Sequence, residues 1–332
     1  MDLSTQIEGD LIALLDDWFS LPETWDNELD SQIAQWYANP PQVWPKRDYL
    51  YFSPSALGAC PRELYIKAKY GNKVKDKRRN QPHQGRWQKL GTLGGDLIQR
   101  ELLAIERNYE RLTGNKPRFR FVRNSDGTPM FEEFAKTNKL VEQDGERFYL
   151  YGAPDGIMEY ITDDGEIIRV GLEIKSKQTT PAQTSLHTMR APDQSHARQV
   201  VAYAHMYDVD YYVILYVNYA KQRWFMKEEE YEKTPDIRAF CARITDEHKR
   251  EVFSKAVEVT RAVRENNPPK LNLDGWTFNN FKEACARDLS EEEVKKLRQQ
   301  VERAKYSSLP QWQINGYVRA LEEIEELRKG AE

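Results

Sequence analysis

The chain has 332 residues, of which 39% are hydrophobic and 31% charged, and its formal net charge is −4. This composition allows a large core in one elaborated domain or two, but the net charge alone does not indicate a nucleic-acid partner. Three cysteines argue against a disulfide scaffold, and no apolar run approaches the roughly 20 residues that span a bilayer. The acidic N-terminal stretch, MDLSTQIEGD, is unlike a signal peptide, so we expect a cytoplasmic protein with no membrane contact.

The first 48 residues predict a helical cap. Residues 8–38 have the pattern of short amphipathic helices, with a break near Leu21-Pro22. Four tryptophans lie within the first 44 residues. Packing of their rings against the core is favoured over a stacking platform for single-stranded bases.

A strongly basic segment follows the cap. Residues 62–89 contain ten Lys or Arg but only two acidic residues, so this segment is suited to neutralising phosphates. Its glycines and prolines predict a mobile loop over residues 66–89 that becomes ordered on DNA, and a merely solvated loop is the alternative. The residues expected to bind DNA are Arg62, Lys73, Lys75, Lys77, Arg78, Arg79 and Arg86.

Residues 92–111 have apolar side chains at helical spacing and predict the first core helix. This helix is expected to carry Asp96 and Gln99 toward the site formed by the strands that follow.

Residues 148–161 and 167–176 are rich in aromatic and β-branched residues, and Asp164-Gly165 between them is a strong hairpin signal. Side chains alternate along a strand, so Glu173 and Lys175 share one face while Ile174 points into the core. Pairing back from the turn brings Asp155 beside Glu173.

Two carboxylates and a carbonyl at this place would suit a hard cation. Asp155, Glu173 and the carbonyl of Ile174 are oxygen ligands of the kind that Mg²⁺ and Mn²⁺ prefer. Lys175 would orient a water or neutralise charge on a phosphate. The acid-x-Lys pattern also occurs at residues 247–249 and 293–295, but those segments are helix-like and highly charged, which favours a solvated helix face.

The remaining chain predicts helices and one further hairpin. A polar loop at residues 178–193 precedes a helix on which Gln199 and Tyr203 share a face, and His196 and His205 are expected to be structural. Further on, the patterns predict a hairpin at 210–218 and 222–227, a helix at 235–266, and two helices in the tail from residue 271.

Three motifs resemble a known superfamily. Gly152-Ala-Pro-Asp155, Glu173-Ile-Lys175 and Gln199-Val-Val-Ala-Tyr203 resemble motifs II, III and the downstream helix motif of the PD-(D/E)XK nucleases, in the RecB-like exonuclease branch. Residues 53–65 are similar to the Ser-x-Leu…Cys-x-x-Arg-x-x-Tyr opening of the CRISPR-adaptation exonucleases in that branch. The matches span about residues 50–225.

The resemblance implies an α/β fold with a restriction-endonuclease-like core, in which helices flank a central mixed sheet. The expected units are a cap at 1–48, the nuclease core at 49–268 and a helical extension at 269–332. The implied function is a DNA nuclease dependent on Mg²⁺ or Mn²⁺, favoured as an exonuclease that processes ends or flaps in recombination, repair or replication in a phage or bacterium.

The same resemblance implies roles and partners. Gln199 would contact DNA or the attacking water, and Tyr203 would support the site. The substrate would be single-stranded DNA or duplex ends, and a recombination protein or single-strand-binding protein is a candidate partner. An endonuclease and a catalytically inactive DNA-binding subunit remain as alternatives.

Two features depart from the family pattern. The His or Glu expected four residues after a glycine in the first core helix is replaced by Gly95, so either Asp96 takes over an outer metal contact or the site has one ligand fewer. Relatives with an iron–sulfur cluster need a further group of cysteines, whereas this chain has only Cys60, Cys241 and Cys285, far apart. No cluster is expected.

Overall fold

A computed structural model of the chain describes residues 2–77 and 81–329. Its helices are α1 Leu3–Ser20, α2 Asn27–Ala38, α3 Pro61–Tyr70, α4 Pro82–Thr113, α5 Glu132–Ala135, α6 Gln194–Tyr207, α7 Glu228–Lys233, α8 Asp246–Glu265, α9 Lys282–Asp288, α10 Glu291–Lys305 and α11 Gln311–Lys329. Its strands are β1 Leu50–Phe52, β2 Phe119–Phe121, β3 Thr137–Gln143, β4 Glu146–Gly152, β5 Gly156–Ile161, β6 Ile167–Lys177, β7 Tyr211–Asn218 and β8 Ile237–Arg243.

The described strands form two sheets. The larger has the order β2-β5-β6-β7-β8, in which β6 and β7 are parallel and the other neighbours are antiparallel. The smaller has the order β1-β4-β3. A parallel pair needs a crossover connection, and α6 lies within the one that joins β6 to β7. The predicted α/β class with a mixed sheet is therefore confirmed.

Apolar side chains cover both faces of the larger sheet. Along β7, Tyr212 and Ile214 belong to one buried cluster, whereas Val213 and Leu215 belong to another. This alternation is the two-residue period of a strand that is buried on both sides. Helices α3, α6, α8 and α9–α11 contribute to the first cluster, and α1, α2 and α4 contribute to the second. The sheet thus lies between two helical layers.

The segment that ends in the site contains two strands rather than one. The sequence predicted a single strand over residues 148–161, but β4 and β5 belong to different sheets. Between them, residues 153–155 pair with neither sheet. The proline at position 154 lacks the backbone N–H that a continuous ladder needs, which accounts for the interruption. The predicted turn at Asp164-Gly165 is confirmed, and Gly165 has the positive φ of 84° that such a turn requires.

The hairpin predicted over residues 210–218 and 222–227 is wrong in its second strand. Residues 222–227 are not a strand, and β7 pairs instead with β8, inside the segment that was predicted to be one helix over 235–266. Helix α8 begins only after Thr245, whose side chain accepts a hydrogen bond from the His248 backbone N–H in a capping box. Tertiary pairing with the open edge of β7 has overridden local helix preference.

Helices are more extensive than predicted in two places. The described part of the basic segment is largely helical, because α3 ends at Tyr70, a 3-10 turn covers Gly71–Val74, and α4 starts at Pro82 in place of the predicted position 92. The tail has three helices instead of two. The predicted break after α1 is present at Leu21. None of the helices within the described ranges is long and apolar enough to cross a bilayer.

Candidate active site

The register of the β5–β6 hairpin brings two carboxylates together. Gly156 pairs with Leu172, so Asp155, which directly precedes β5, lies opposite Glu173. The Asp155 Oδ2 atom accepts a hydrogen bond of 2.6 Å from the Ile174 backbone N–H. This contact fixes the Asp155 carboxylate at the edge of β6.

Glu173 is the centre of a hydrogen-bonded ring. Its Oε1 atom accepts from Lys175 Nζ at 2.6 Å and from Gln199 Nε2 at 2.7 Å, and Lys175 Nζ also donates to Gln199 Oε1 at 3.1 Å. Lys175 projects from the same face of β6 as Glu173, and Gln199 comes from the first turns of α6. Three of the residues singled out in the sequence thus form one hydrogen-bonded ring, and Asp155 lies beside it on the Ile174 N–H.

The second oxygen of Glu173 is available for a ligand. Glu173 is only 3% exposed, yet its Oε2 atom has no hydrogen-bond partner among the described residues. Burial raises the pKa of Glu173, and burial together with the Glu173 charge raises the pKa of Asp155 well above its usual value. A buried carboxylate pair with an unpaired oxygen fits a divalent cation, which would offset both effects.

Asp96 has a partner outside this pair, and its outer metal contact stays a prediction. Its Oδ2 atom pairs with Arg100 Nε at 3.0 Å, one turn along α4. The helix reaches the site through Gln99 instead, whose Nε2 donates to the Asp155 backbone carbonyl at 2.8 Å. Among the described residues, no group of three or more His, Cys, Asp or Glu side chains is placed to hold a metal ion. The site therefore offers two carboxylates and backbone oxygen.

Glu132 is a neighbour of the site that the sequence did not indicate. Its backbone N–H donates to the Pro154 carbonyl at 2.8 Å, and its carboxylate accepts from the Tyr37 hydroxyl at 3.1 Å. Its charge adds to the rise in the pKa of Asp155. Glu132 also has φ 43°, a conformation that costs a non-glycine residue free energy. Nothing in the local sequence around Phe131 marks this position.

Tyr203 is buried beside the site, close enough for the Glu173 and Asp155 charges to add to the rise in its pKa. Tyr203 is buried and stacks on Tyr212 at a centroid distance of 6.4 Å, and burial raises the pKa of its hydroxyl. His196 Nδ1 lies 2.8 Å from the Tyr216 hydroxyl, and burial lowers the pKa of His196 to about 4. His205 packs edge-on against Phe253. The contacts of the two histidines are those of structural side chains, and the supporting role of Tyr203 stays a prediction.

Arg62 is not available to DNA, contrary to prediction. It is fully buried, and its guanidinium pairs with Asp288 at 2.9 Å and with Glu293 at 3.1 Å, and donates to the Pro269 carbonyl at 2.7 Å. A buried guanidinium satisfied by carboxylates ties α3 to the C-terminal helices. By contrast, the other described residues of the predicted DNA-binding set are exposed, namely Lys73, Lys75, Lys77 and Arg86. Arg78 and Arg79 lie outside the described residues.

Comparison with known proteins gives weak structural likenesses. No family model and no curated protein matches the chain. A crystal structure of SSO0001 has 13% identity and a TM-score of 0.43, over 79% of this chain and 96% of that one. A phage-related exonuclease from Haemophilus somnus 129PT has 9% identity and a TM-score of 0.36, over 66% and 95%. An alkaline exonuclease from Laribacter hongkongensis has 15% identity and a TM-score of 0.32, over 65% and 91%. Likenesses with TM-scores below 0.5 do not assign a function.

Proposed function

We propose that this protein is a divalent-metal-dependent deoxyribonuclease of the PD-(D/E)XK superfamily, in its RecB-like branch, acting as an exonuclease on DNA ends or flaps. The observation that carries the proposal is the hydrogen-bonded ring of Glu173, Lys175 and Gln199 beside Asp155, in which one buried oxygen of Glu173 is unpaired within the described ranges. Recombination, repair or replication in a phage or bacterium would supply such substrates.

The residues that would hold Mg²⁺ or Mn²⁺ are Asp155 and Glu173, with the carbonyl of Ile174. When bound, such an ion polarises a phosphoryl oxygen and lowers the pKa of a coordinated water. Lys175 places a positive charge beside the carboxylates, where it stabilises negative charge on the scissile phosphate. Gln199 bonds to both Glu173 and Lys175 through its amide, so it fixes the positions of these two side chains for the reaction.

Cleavage assays with matched variants test the proposal. The wild-type chain should degrade linear DNA with Mg²⁺ or Mn²⁺ and not with EDTA. Loss of a preorganised charged group costs on the order of 100-fold in rate, so Glu173→Gln and Lys175→Ala should lose at least that much. The control is Lys249→Ala, because Lys249 belongs to an acid-x-Lys tripeptide on α8 that lies outside the site. Equal activity of Lys175→Ala and the wild type would contradict the assignment.

The substrate form separates the exonuclease from an endonuclease. An enzyme that needs an end leaves a covalently closed circle intact and is stopped by a blocked 5′ or 3′ terminus. Cleavage of the closed circle at the rate of the linear form would favour an endonuclease with the same chemistry.

A second candidate is an inactive DNA-binding subunit. The small number of metal ligands favours this candidate, since the described residues bring only two carboxylates together and Asp96 pairs with Arg100. This alternative predicts DNA binding that is unaffected by Glu173→Gln and no cleavage with either metal. The cleavage assay above therefore decides between the two.

A further inference from the structure

We propose, on the basis of the proposed function, that a groove beside the active site binds the single-stranded part of the DNA, with Phe278 stacking on an unpaired base. The groove has a volume of about 490 Å³. Its walls are the turn at Ser53–Gly58, helix α3 with the adjoining residues 72–75, the start of α6, and residues 275–281 of the C-terminal extension.

The near end of the groove lies close to the catalytic group. Ser195, which lines the groove, is one helical turn, about 6 Å, before Gln199 on α6. Gly58 packs directly against Ser195, where an added Cβ would lie 3.5 Å from the Ser195 Cβ. A strand bound at the carboxylates would need to pass only one turn of α6 to enter the groove.

The acidic residues in and beside the groove are bound to protein segments. Glu63 accepts a hydrogen bond from the Asn280 backbone N–H at 3.1 Å, and Asp76 accepts from the backbone N–H groups of Lys282 and Glu283 at 3.0 and 3.2 Å. Asp193 likewise accepts from the backbone N–H of the adjacent Ser195 at 2.8 Å. These carboxylates are therefore engaged in holding protein segments together.

Two lysines that line the groove have no ion-pair partner among the described residues. Lys67 and Lys75 line the groove, and in the ranges that the structure covers neither forms an ion pair within 4.0 Å. Lys67 lies near the Glu63 charge, whereas Lys75 is exposed. Positive side chains along a groove that leads from a nuclease site are suited to phosphates of a bound strand.

Phe278 supplies the feature that distinguishes single-stranded from duplex DNA. Its side chain is 85% exposed although it lines the groove. The turn that carries it is anchored by Trp276, which is 2% exposed and donates from Nε1 to Glu323 at 2.9 Å. An exposed ring held over a groove that two lysines line is a stacking platform for an unpaired base, and a base inside a duplex cannot reach it.

Binding of a labelled 20-nucleotide oligothymidine, measured by fluorescence anisotropy in EDTA, tests the groove. Loss of one stacked base weakens single-strand binding about 5- to 100-fold, so Phe278→Ala should lose that much affinity for the oligothymidine, and Phe278→Trp should retain it. Affinity for a blunt duplex of the same length should change less than about twofold. The control is Tyr306→Ala, which removes an exposed aromatic ring that does not line the groove.

The lysine contribution has its own measurement. For single strands, each phosphate contact contributes about 0.7 to the slope of log affinity against log salt concentration. Lys75→Ala should lower the slope by about that amount, whereas Lys295→Ala, an exposed lysine of α10, should leave it unchanged. An unchanged slope in Lys75→Ala would exclude this residue from the path of the strand.

These outcomes test the groove proposal separately from the nuclease proposal. If Phe278→Ala binds the oligothymidine as the wild type does, or weakens both probes equally, the groove proposal is wrong even where metal-dependent cleavage is seen. If wild-type protein never cleaves DNA but Phe278→Ala selectively loses the oligothymidine, the groove is supported and the nuclease assignment is wrong. Unchanged melting temperatures of the variants exclude misfolding as the cause.

Discussion

Asp155 is a carboxyl group whose ionisation works against the folded state. Burial and the Glu173 charge raise its pKa above the usual value of 3.8, and the opposing effects of the Ile174 N–H and Lys175 are smaller. A group with a raised folded pKa binds more protons in the folded than in the unfolded chain. Metal-free stability attributable to Asp155 therefore falls as pH rises from about 3.8 toward the raised pKa.

Asp155→Asn should reverse this pH dependence. In EDTA, the unfolding free energy of the variant relative to the wild type should increase between pH 4 and pH 7, because only the wild type loses stability as Asp155 ionises. Urea denaturation at the two pH values measures it. Asp164→Asn is the matched control, because a Thr162 hydrogen bond lowers the pKa of Asp164, so its contribution is lost only as pH falls below about 3.8. Its effect should therefore change little between pH 4 and pH 7. A difference that does not vary with pH would contradict the argument.

Arg62 should matter for stability and not for DNA binding. Removing one partner of a buried ion pair leaves the other charges uncompensated, so Arg62→Met should lower the unfolding free energy by on the order of 3 kcal/mol. Arg298→Met, which breaks the exposed pair with Glu325, should have no measurable effect. Denaturant unfolding gives the stability, and the salt dependence of DNA binding should be the same in Arg62→Met as in the wild type. A weaker salt dependence of DNA binding in Arg62→Met would mean that Arg62 does contact DNA.

The sequence was informative where a residue's position follows from local pairing. The hairpin turn at Asp164-Gly165 sets the register of β5 and β6, and that register alone places Asp155 opposite Glu173. Glu132 could not be found in this way, since its contact with Pro154 depends on a long-range chain approach and a positive φ. Arg62 was misjudged because composition does not show which cation of a basic segment is buried.

At the scale of elements, β7 and the β5–β6 hairpin were predicted, whereas β8 and β3, which pairs with β4 across a tight turn, were not. β8 has a local sequence compatible with a helix, and its pairing with β7 is decided by the open sheet edge and by burial of Ile237 and Ala239. The start of α4 was also missed, because its first ten residues were predicted as part of a loop. Its start at Pro82 follows from a capping box between Gln81 and Gln84.

Two adjacent glycines on α4 provide a test of how this helix is oriented against Tyr219. A Cβ on Gly94 would lie 2.3 Å from the Tyr219 hydroxyl oxygen, whereas a Cβ on Gly95 would have no atom within 4 Å. Gly94→Ala should therefore destabilise the protein by about 1–3 kcal/mol through overpacking. Gly95→Ala should stabilise it by about 0.5–1 kcal/mol, because alanine is the better helix former. Thermal unfolding of the two variants measures both effects, and destabilisation by Gly95→Ala would mean that α4 is rotated from this position.

At the scale of the whole molecule, the C-terminal extension is part of the main core. Leu273, Trp276 and Ile324 belong to the same buried cluster as the β7 residues Tyr212 and Ile214. The extension is also joined to the basic segment by the Glu63 and Asp76 hydrogen bonds. A single apolar cluster that includes both units favours cooperative unfolding of the chain.

Asp76→Ala tests whether the extension positions the basic segment for DNA. Simple electrostatics predicts tighter DNA binding, because the change removes a negative charge from the segment. If the two backbone hydrogen bonds at the start of α9 hold Lys73 and Lys75 in place, affinity should instead fall, and the unfolding free energy should drop by about 1 kcal/mol as for loss of a helix cap.

Two measurements decide between tighter and weaker DNA binding by Asp76→Ala. One is the affinity for oligothymidine, and the other is the hydrogen exchange of residues 71–77 and 276–283. We expect exchange to become faster in both segments together, since each holds the other through Asp76. Asp274→Ala is the control, because Asp274 accepts hydrogen bonds from Tyr317 and Gln313 within the extension alone. Tighter binding in Asp76→Ala, with exchange unchanged, would show that the lysines bind DNA without support from the C-terminal helices.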